Sequence, residues 1–323
     1  MRPILIGTLF LSLAGPALAR DPVLNPPIDC TLGETCYIQN YVDTDPSSGA
    51  ADFTCGSLTY DGHKGTDFGL PSLAAMKDGV DVRAAAPGTV RAIRNDMIDH
   101  IQGGTDAPDV SGRECGNGVV IDHGDGWTTQ YCHMAQGSIS VTKGQRVSKE
   151  TTLGQVGLSG KTQFPHVHLS VRHNGEIIDP FNPNARIACG DTGARDDALW
   201  QTPITYQAGG ILSVGVWDAV PDYAAIKAGT VDATTLPTTS PALVVFGYAF
   251  GARTADVMRL SLTGPDGNVV TKDLDLAKNQ ALFFRATGKR GSQWPVGTYD
   301  AEAILLRDGV IVDSMARTIE VVN

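Results

Sequence analysis

Four of the seven histidines in this chain stand where imidazole could do chemistry: His63, His133, His166 and His168. In "FPHVHLSV", residues 164–171, His166 and His168 are two apart in an apolar run. Alternate strand residues project from one face, so the two rings should stand side by side while Val167 turns away. In "DGHKGTDFG", residues 61–69, His63 and Asp67 are four apart among glycines, and in "QYCHM" His133 closes a strand-like run. Each string alone is weak, because a histidine is ordinarily a surface or hydrogen-bonded residue and an aspartate beside glycine ordinarily shapes a turn. Together they offer the nitrogen and oxygen donors that Zn²⁺ takes at about 2.0–2.2 Å. Zinc-assisted hydrolysis needs three protein ligands, an open position, a proton acceptor and a group that meets a developing oxyanion. Four histidines and one aspartate can fill both lists.

Such a site has to be held by rigid elements, and the surrounding sequence reads as strands. Glycine (37) and proline (18) are abundant and long helical patterns are scarce, which predicts a mainly β protein. Residues 88–93, 118–123, 127–134, 145–157 and 166–172 read as strands or hairpin arms separated by glycine turns. A long polar excursion, residues 95–115, is placed to rim a cleft. Residues 188–203 read as a linker. Beyond them Met258, Leu260 and Leu262, then Tyr299, Ala301, Ala303 and Leu305, alternate with other residues between tight turns, the pattern of a small, immunoglobulin-like β-sandwich. The other histidines, His100, His123 and His173, fall in loop or turn strings and are expected at the surface.

The formal charge of −10, without a basic run, argues against nucleic acid or an anionic membrane surface as partner. The first residues show one positive residue, Arg2, then an apolar run ending at Ala17-Leu18-Ala19, as in a secretory signal. The run is 16 residues, is broken by Gly15 and Pro16, and is short of the ~20 needed to span a bilayer. Signal removal would leave no membrane insertion, and export would place the protein in a periplasmic or extracellular setting. There the six cysteines, all before residue 190, are expected to form disulfides, with fifteen pairings open. Cys30 and Cys36 can close a small loop, Cys115 and Cys132 flank a hairpin, and Cys55 and Cys189 remain. The absence of C-x-x-C argues against a thiolate zinc site.

"GHKGTDFGLP", "GVDVRAAAPGTV", "GNGVVIDHGDGWTTQYCHM" and "VTKGQRVSKETTLGQVGLSGKTQFPHVHLSVRHNGEIIDP" follow one another with glycines at matching places. Through these residues, about 60–182, the chain resembles the lysostaphin/LytM-type zinc metalloendopeptidases, which cut bacterial cell-wall peptides. The resemblance implies an antiparallel β catalytic domain, one zinc ion, peptidoglycan peptides as substrate and a secreted enzyme. It implies His63, Asp67 and His168 as metal ligands, and His133 and His166 as the catalytic histidines. Ser170 stands where the family commonly carries a glutamate, "GKTQFPHVH" lacks the usual Ser-Thr-Gly, and "YCHM" replaces "YAHL". The domain organisation expected is a signal over 1–19, a lead over 20–59, the metallopeptidase domain over 60–187, the linker over 188–203 and the accessory sandwich over 204–323. Two other functions accommodate these motifs: a noncatalytic wall-binding regulator of other murein hydrolases, and a secreted protease acting on glycine-rich proteins.

Overall fold

The computed structural model describes residues 21–104, 106–186 and 189–323, so the expected signal lies outside the described residues. In chain order the elements are β1 Tyr37–Asn40, β2 Thr66–Gly69, helix α1 Leu73–Lys77, β3 Asp81–Arg83, β4 Gly88–Arg94, β5 Asn117–Gly124 and β6 Trp127–Met134. Then follow β7 Arg146–Val147, β8 Thr152–Gln155, β9 His166–His173, β10 Glu176–Ile178, β11 Gly210–Trp217 and helix α2 Tyr223–Ala228. The last are β12 Thr235–Pro237, β13 Ala242–Ala252, β14 Val257–Gly264, β15 Gly267–Asp275, β16 Gln280–Arg290, β17 Gly297–Arg307 and β18 Val310–Val322. The fold is mainly antiparallel β. No helix among the described residues is long and apolar enough to cross a membrane.

The first half is organised by one antiparallel sheet of order β1-β2-β9-β6-β5-β4-β7, with β10 also paired to β9. Strand β9 lies between β2 and β6. Its alternation is clean: Val167, Leu169 and Val171 enter the apolar core, while His166, His168 and Ser170 occupy the opposite face. The β5–β6 hairpin turns on Asp125-Gly126, both at positive φ, as a two-residue turn compatible with strand twist requires. The sequence reading marked no strand before residue 60, yet Tyr37–Asn40 extends the sheet as its edge strand.

In the second half, β11-β13-β16 form one sheet and β12-β18-β17-β14-β15 another, with β12 and β18 parallel. The alternating residues named above, Met258 to Leu262 and Tyr299 to Leu305, are buried in the core that the sheets share. Strand β13 is buried at every position. Leu243, Val245 and Ala249 face that core, Phe246 and Tyr248 pack under Ile226 of α2, and Phe250 joins the core of the first half. A strand covered on both faces is apolar throughout, which explains the unbroken run "ALVVFGYAFGA".

The halves meet through this strand. The Tyr37 and Phe250 rings lie 4.6 Å apart, and Gln39 donates from Nε2 to the Ala281 carbonyl at 3.1 Å. The Ile38 amide donates to Gln207 Oε1 at 2.8 Å. The segment between the halves is also packed: Leu199, Trp200 and Tyr206 are buried in the first core, and Cys189 is bonded to Cys55. The other disulfides are Cys30–Cys36 and Cys115–Cys132, so all three expected pairs are present.

Candidate active site

Pairing register assembles the site. On the antiparallel β2–β9 pair, Asp67 faces His168 directly and Gly69 faces His166. On β9's other side Cys132 faces His168, so the next residue, His133, comes to the same end of the sheet. His63 reaches the group from the loop before β2. A backbone of minimal bulk is needed there: a Cβ on Gly65 would lie 2.6 Å from His168 Nε2 and 2.5 Å from the Leu169 carbonyl oxygen.

The hydrogen bonds assign the free nitrogen of each imidazole. His63 Nδ1 donates to the Tyr41 carbonyl at 2.7 Å, which leaves Nε2 bare. Ser170 Oγ donates to the Lys64 carbonyl at 2.7 Å and therefore accepts from His168 Nε2 at 3.0 Å, which leaves Nδ1 bare. These bare nitrogens are 3.2 Å apart. Asp67 Oδ2 lies 3.2 Å from His63 Nε2, and Asp67 Oδ1 lies 2.8 Å from His168 Nδ1. Electron pairs from two imidazoles and a carboxylate thus converge with no hydrogen between them, and one donor atom from each residue lies within 4.8 Å of the others. That arrangement is repulsive by itself and would be relieved by a cation held between the donors. The donor chemistry fits zinc, with nitrogen and oxygen ligands and each imidazole oriented by an oxygen acceptor behind it.

His133 and His166 stand beside this cluster. His166 donates from Nδ1 to the Phe164 carbonyl at 2.9 Å, and its Nε2 lies 3.5 Å from Asp67 Oδ1. Its ring stacks on Phe164 at 4.2 Å between centroids. His133 donates from Nδ1 to the Ser159 carbonyl at 2.8 Å, and its ring centroid is 4.6 Å from that of His166. Both rings keep Nε2 bare. His133 sits at φ 61°, rare for a residue other than glycine, in a bulge where Cys132 and His133 together oppose Gly118. The Cys115–Cys132 bond and the pair His133 N–H to Cys115 O at 2.8 Å fix this strained turn of the strand.

Electrostatics follow from burial. Burial lowers His133 well below the ordinary imidazole value, helped by His166 and His168. Burial also lowers His166, although the Asp67 carboxylate opposes it. At His63 burial acts downward, but Asp67 and the Tyr41 carbonyl outweigh it and the group is raised. Burial alone would raise Asp67. The surrounding histidines outweigh it and hold the carboxyl well below the usual range.

The five residues named from sequence are therefore together. His100 is not with them, since its Nε2 lies 3.6 Å from Asp106, but Gln102 and Gly103 of the same excursion do reach the cleft. His123 and His173 are half-buried rather than free turn residues. His123 bonds the Pro87 carbonyl and Thr129 Oγ1, and His173 stacks on Trp127 at 4.4 Å. Sequence reasoning missed the supporting groups. Asn40 donates to Asp67 Oδ2 at 2.8 Å from a strand that carries no motif, and Tyr41 contributes only a carbonyl. Ser170 was visible as standing where a glutamate is common, but not as the partner of His168.

Residues 61–180 match the family described as Peptidase family M23. The peptidoglycan DD-endopeptidase ShyA of Vibrio cholerae is 30% identical over 126 residues, 39% of this chain and 24% of that protein. The cell division protein DipM of Caulobacter vibrioides is 29% identical over 118 residues, 36% of this chain and 18% of that protein. The matched stretches thus span about a quarter or less of these relatives' own lengths. Among solved structures, the catalytic domain of the prophage-encoded M23 protein EnpA from Enterococcus faecalis is 25% identical, covering 43% of this chain and 88% of that one, with a TM-score of 0.29. Through residues 61–180, then, the chain is similar to peptidase family M23.

Proposed function

We propose that the chain is an exported, zinc-dependent endopeptidase that hydrolyses peptide bonds in bacterial peptidoglycan. One observation carries this reading: three bare donor atoms, from His63, Asp67 and His168, converge beside two more imidazoles in one cleft. The names of the relatives support the substrate class, since ShyA is a peptidoglycan DD-endopeptidase. The disulfides support export to an oxidising compartment. In this reading residues 60–187 are catalytic, 188–203 connect, and 204–323 are an accessory β domain.

His63 Nε2, Asp67 and His168 Nδ1 would hold one zinc ion per chain. Zinc bound there supplies a Lewis acid that activates water and polarises the scissile carbonyl. The residues around it divide the proton work. His166 Nε2 takes the proton of the attacking water, because burial keeps it neutral at rest and the Asp67 carboxylate beside it stabilises the imidazolium once formed. His133 also presents a bare Nε2, and burial keeps its ring neutral, so it serves as a hydrogen-bond acceptor that orients the attacking water beside His166. Its contact with Ser159 keeps that nitrogen aimed into the cleft.

The test is digestion of purified sacculi with mass spectrometry of the products. New amino termini, blocked by a zinc chelator, are expected. Release of reducing sugar ends without new amino termini would overturn the assignment.

A further inference from the structure

The cleft over the five residues has a volume of about 790 Å³, and only part of its wall comes from the family-matched segment. The facing wall is built by the second half of the chain: Tyr223 and Lys227 of α2, and Lys278 to Leu282 leading into β16. The wall is held in place by the contacts of β13 with the first core and by the Gln39–Ala281 hydrogen bond.

Its charge is opposite to that of the protein. The chain carries −10 overall, yet three of its nine lysines, Lys161, Lys227 and Lys278, line this cleft. Asp67, committed to the metal cluster, is the only carboxylate among the described lining residues. None of the three lysines forms a salt bridge among the described residues. Lys227 lies over the Tyr223 ring at 4.9 Å, which holds its ammonium at the rim without neutralising it. Six amide side chains, among them Asn40, Gln163 and Gln280, complete the lining and suit the carbonyl and N–H groups of an extended peptide.

We propose that this cleft selects peptides bearing free carboxylates, and that Lys227 and Lys278 of the second half, with Lys161 opposite, determine that selection. The proposal rests on the endopeptidase reading for the identity of the substrate, but the selection can be read from binding alone. A neutral, glycine-rich strand would use the amides and leave the lysines idle.

The experiment is calorimetric titration of the zinc-loaded full chain with the monomeric stem tetrapeptide from sacculi and with the same peptide after carboxyl amidation. At low salt the acidic form is expected to bind about fivefold more tightly, as two or three partly solvated ion pairs allow, and added salt should erase the difference. The double variant Lys227→Gln/Lys278→Gln should bind both forms equally, while Lys289→Gln, on β16 outside the cleft, should keep the preference. Equal affinity of the wild-type chain for the two forms, or a preference that survives in the double variant, overturns the proposal. Sacculi left uncut by a chain that shows the preference would instead sink the endopeptidase reading and leave charge selection standing.

Discussion

At the residue scale the four histidines differ by which nitrogen is bare. His63, His133 and His166 spend Nδ1 on a backbone carbonyl, whereas His168 spends Nε2 on Ser170. Ser170 therefore does a job that its small size conceals: it passes one hydrogen to Lys64 and fixes the tautomer of His168. Replacing His168 with Ala should abolish stoichiometric zinc, read by metal analysis after dialysis. Ser170→Ala should retain zinc but lower its affinity about 10- to 100-fold in chelator competition, the range for an orienting partner. His133→Ala should keep zinc and lose turnover about 10²- to 10⁴-fold. Equal loss of metal in the His133 and His168 variants would refute the division of roles.

At the scale of elements, β9 matters because both its neighbours bring a site residue into register. β2 supplies Asp67 opposite His168, and β6 supplies His133 from a bulge. The Cys115–Cys132 bond closes a separation of 17 residues at that bulge. Replacing both cysteines with Ser should cost about 3 kcal/mol of stability, measured by denaturant unfolding under oxidising conditions. It should also reduce turnover more than zinc affinity, because the three proposed metal donors lie on β2, β9 and the loop before β2. A variant as stable and active as wild type would show that the bulge holds His133 without the bond.

At the scale of the whole molecule, the aromatic centre of the first core carries a buried titratable group. Asp179 is enclosed, its Oδ1 accepts from the Phe181 amide at 2.9 Å, and its Oδ2 has no partner among the described residues. Burial, with Asp52 nearby, pushes this carboxyl up to about 7 from an ordinary value of 3.8. The folded chain then holds a proton that the unfolded chain releases, so this group's stabilising contribution is full below about pH 4 and lost as pH rises to about 7. Asp179→Asn, uncharged throughout, should remove that component. Denaturant midpoints compared between pH 4 and 8 should show wild-type stability falling relative to the variant; parallel curves would mean Asp179 ionises normally. The second half of the chain acts at this scale too, since it closes one side of the cleft.

Local pattern was enough for much of this. Alternation placed Val167 inward and the two histidines outward, glycine turns marked the hairpins, and the cysteines' spacing suggested three pairs among the fifteen pairings that it left open. The motifs identified all five residues of the cluster, because strand periodicity and ligand type are properties of short strings. Tertiary structure alone decided what lies behind and across from them. Asn40, the Tyr41 carbonyl and the Lys227–Lys278 wall come from segments with no motif, brought near by long-range pairing and packing. The left-handed backbone of His133 has no local signature either, because the strain is held by β5, a disulfide and the cluster itself. Residue chemistry is written in short strings, whereas the orientation of that chemistry depends on neighbours far away in the chain.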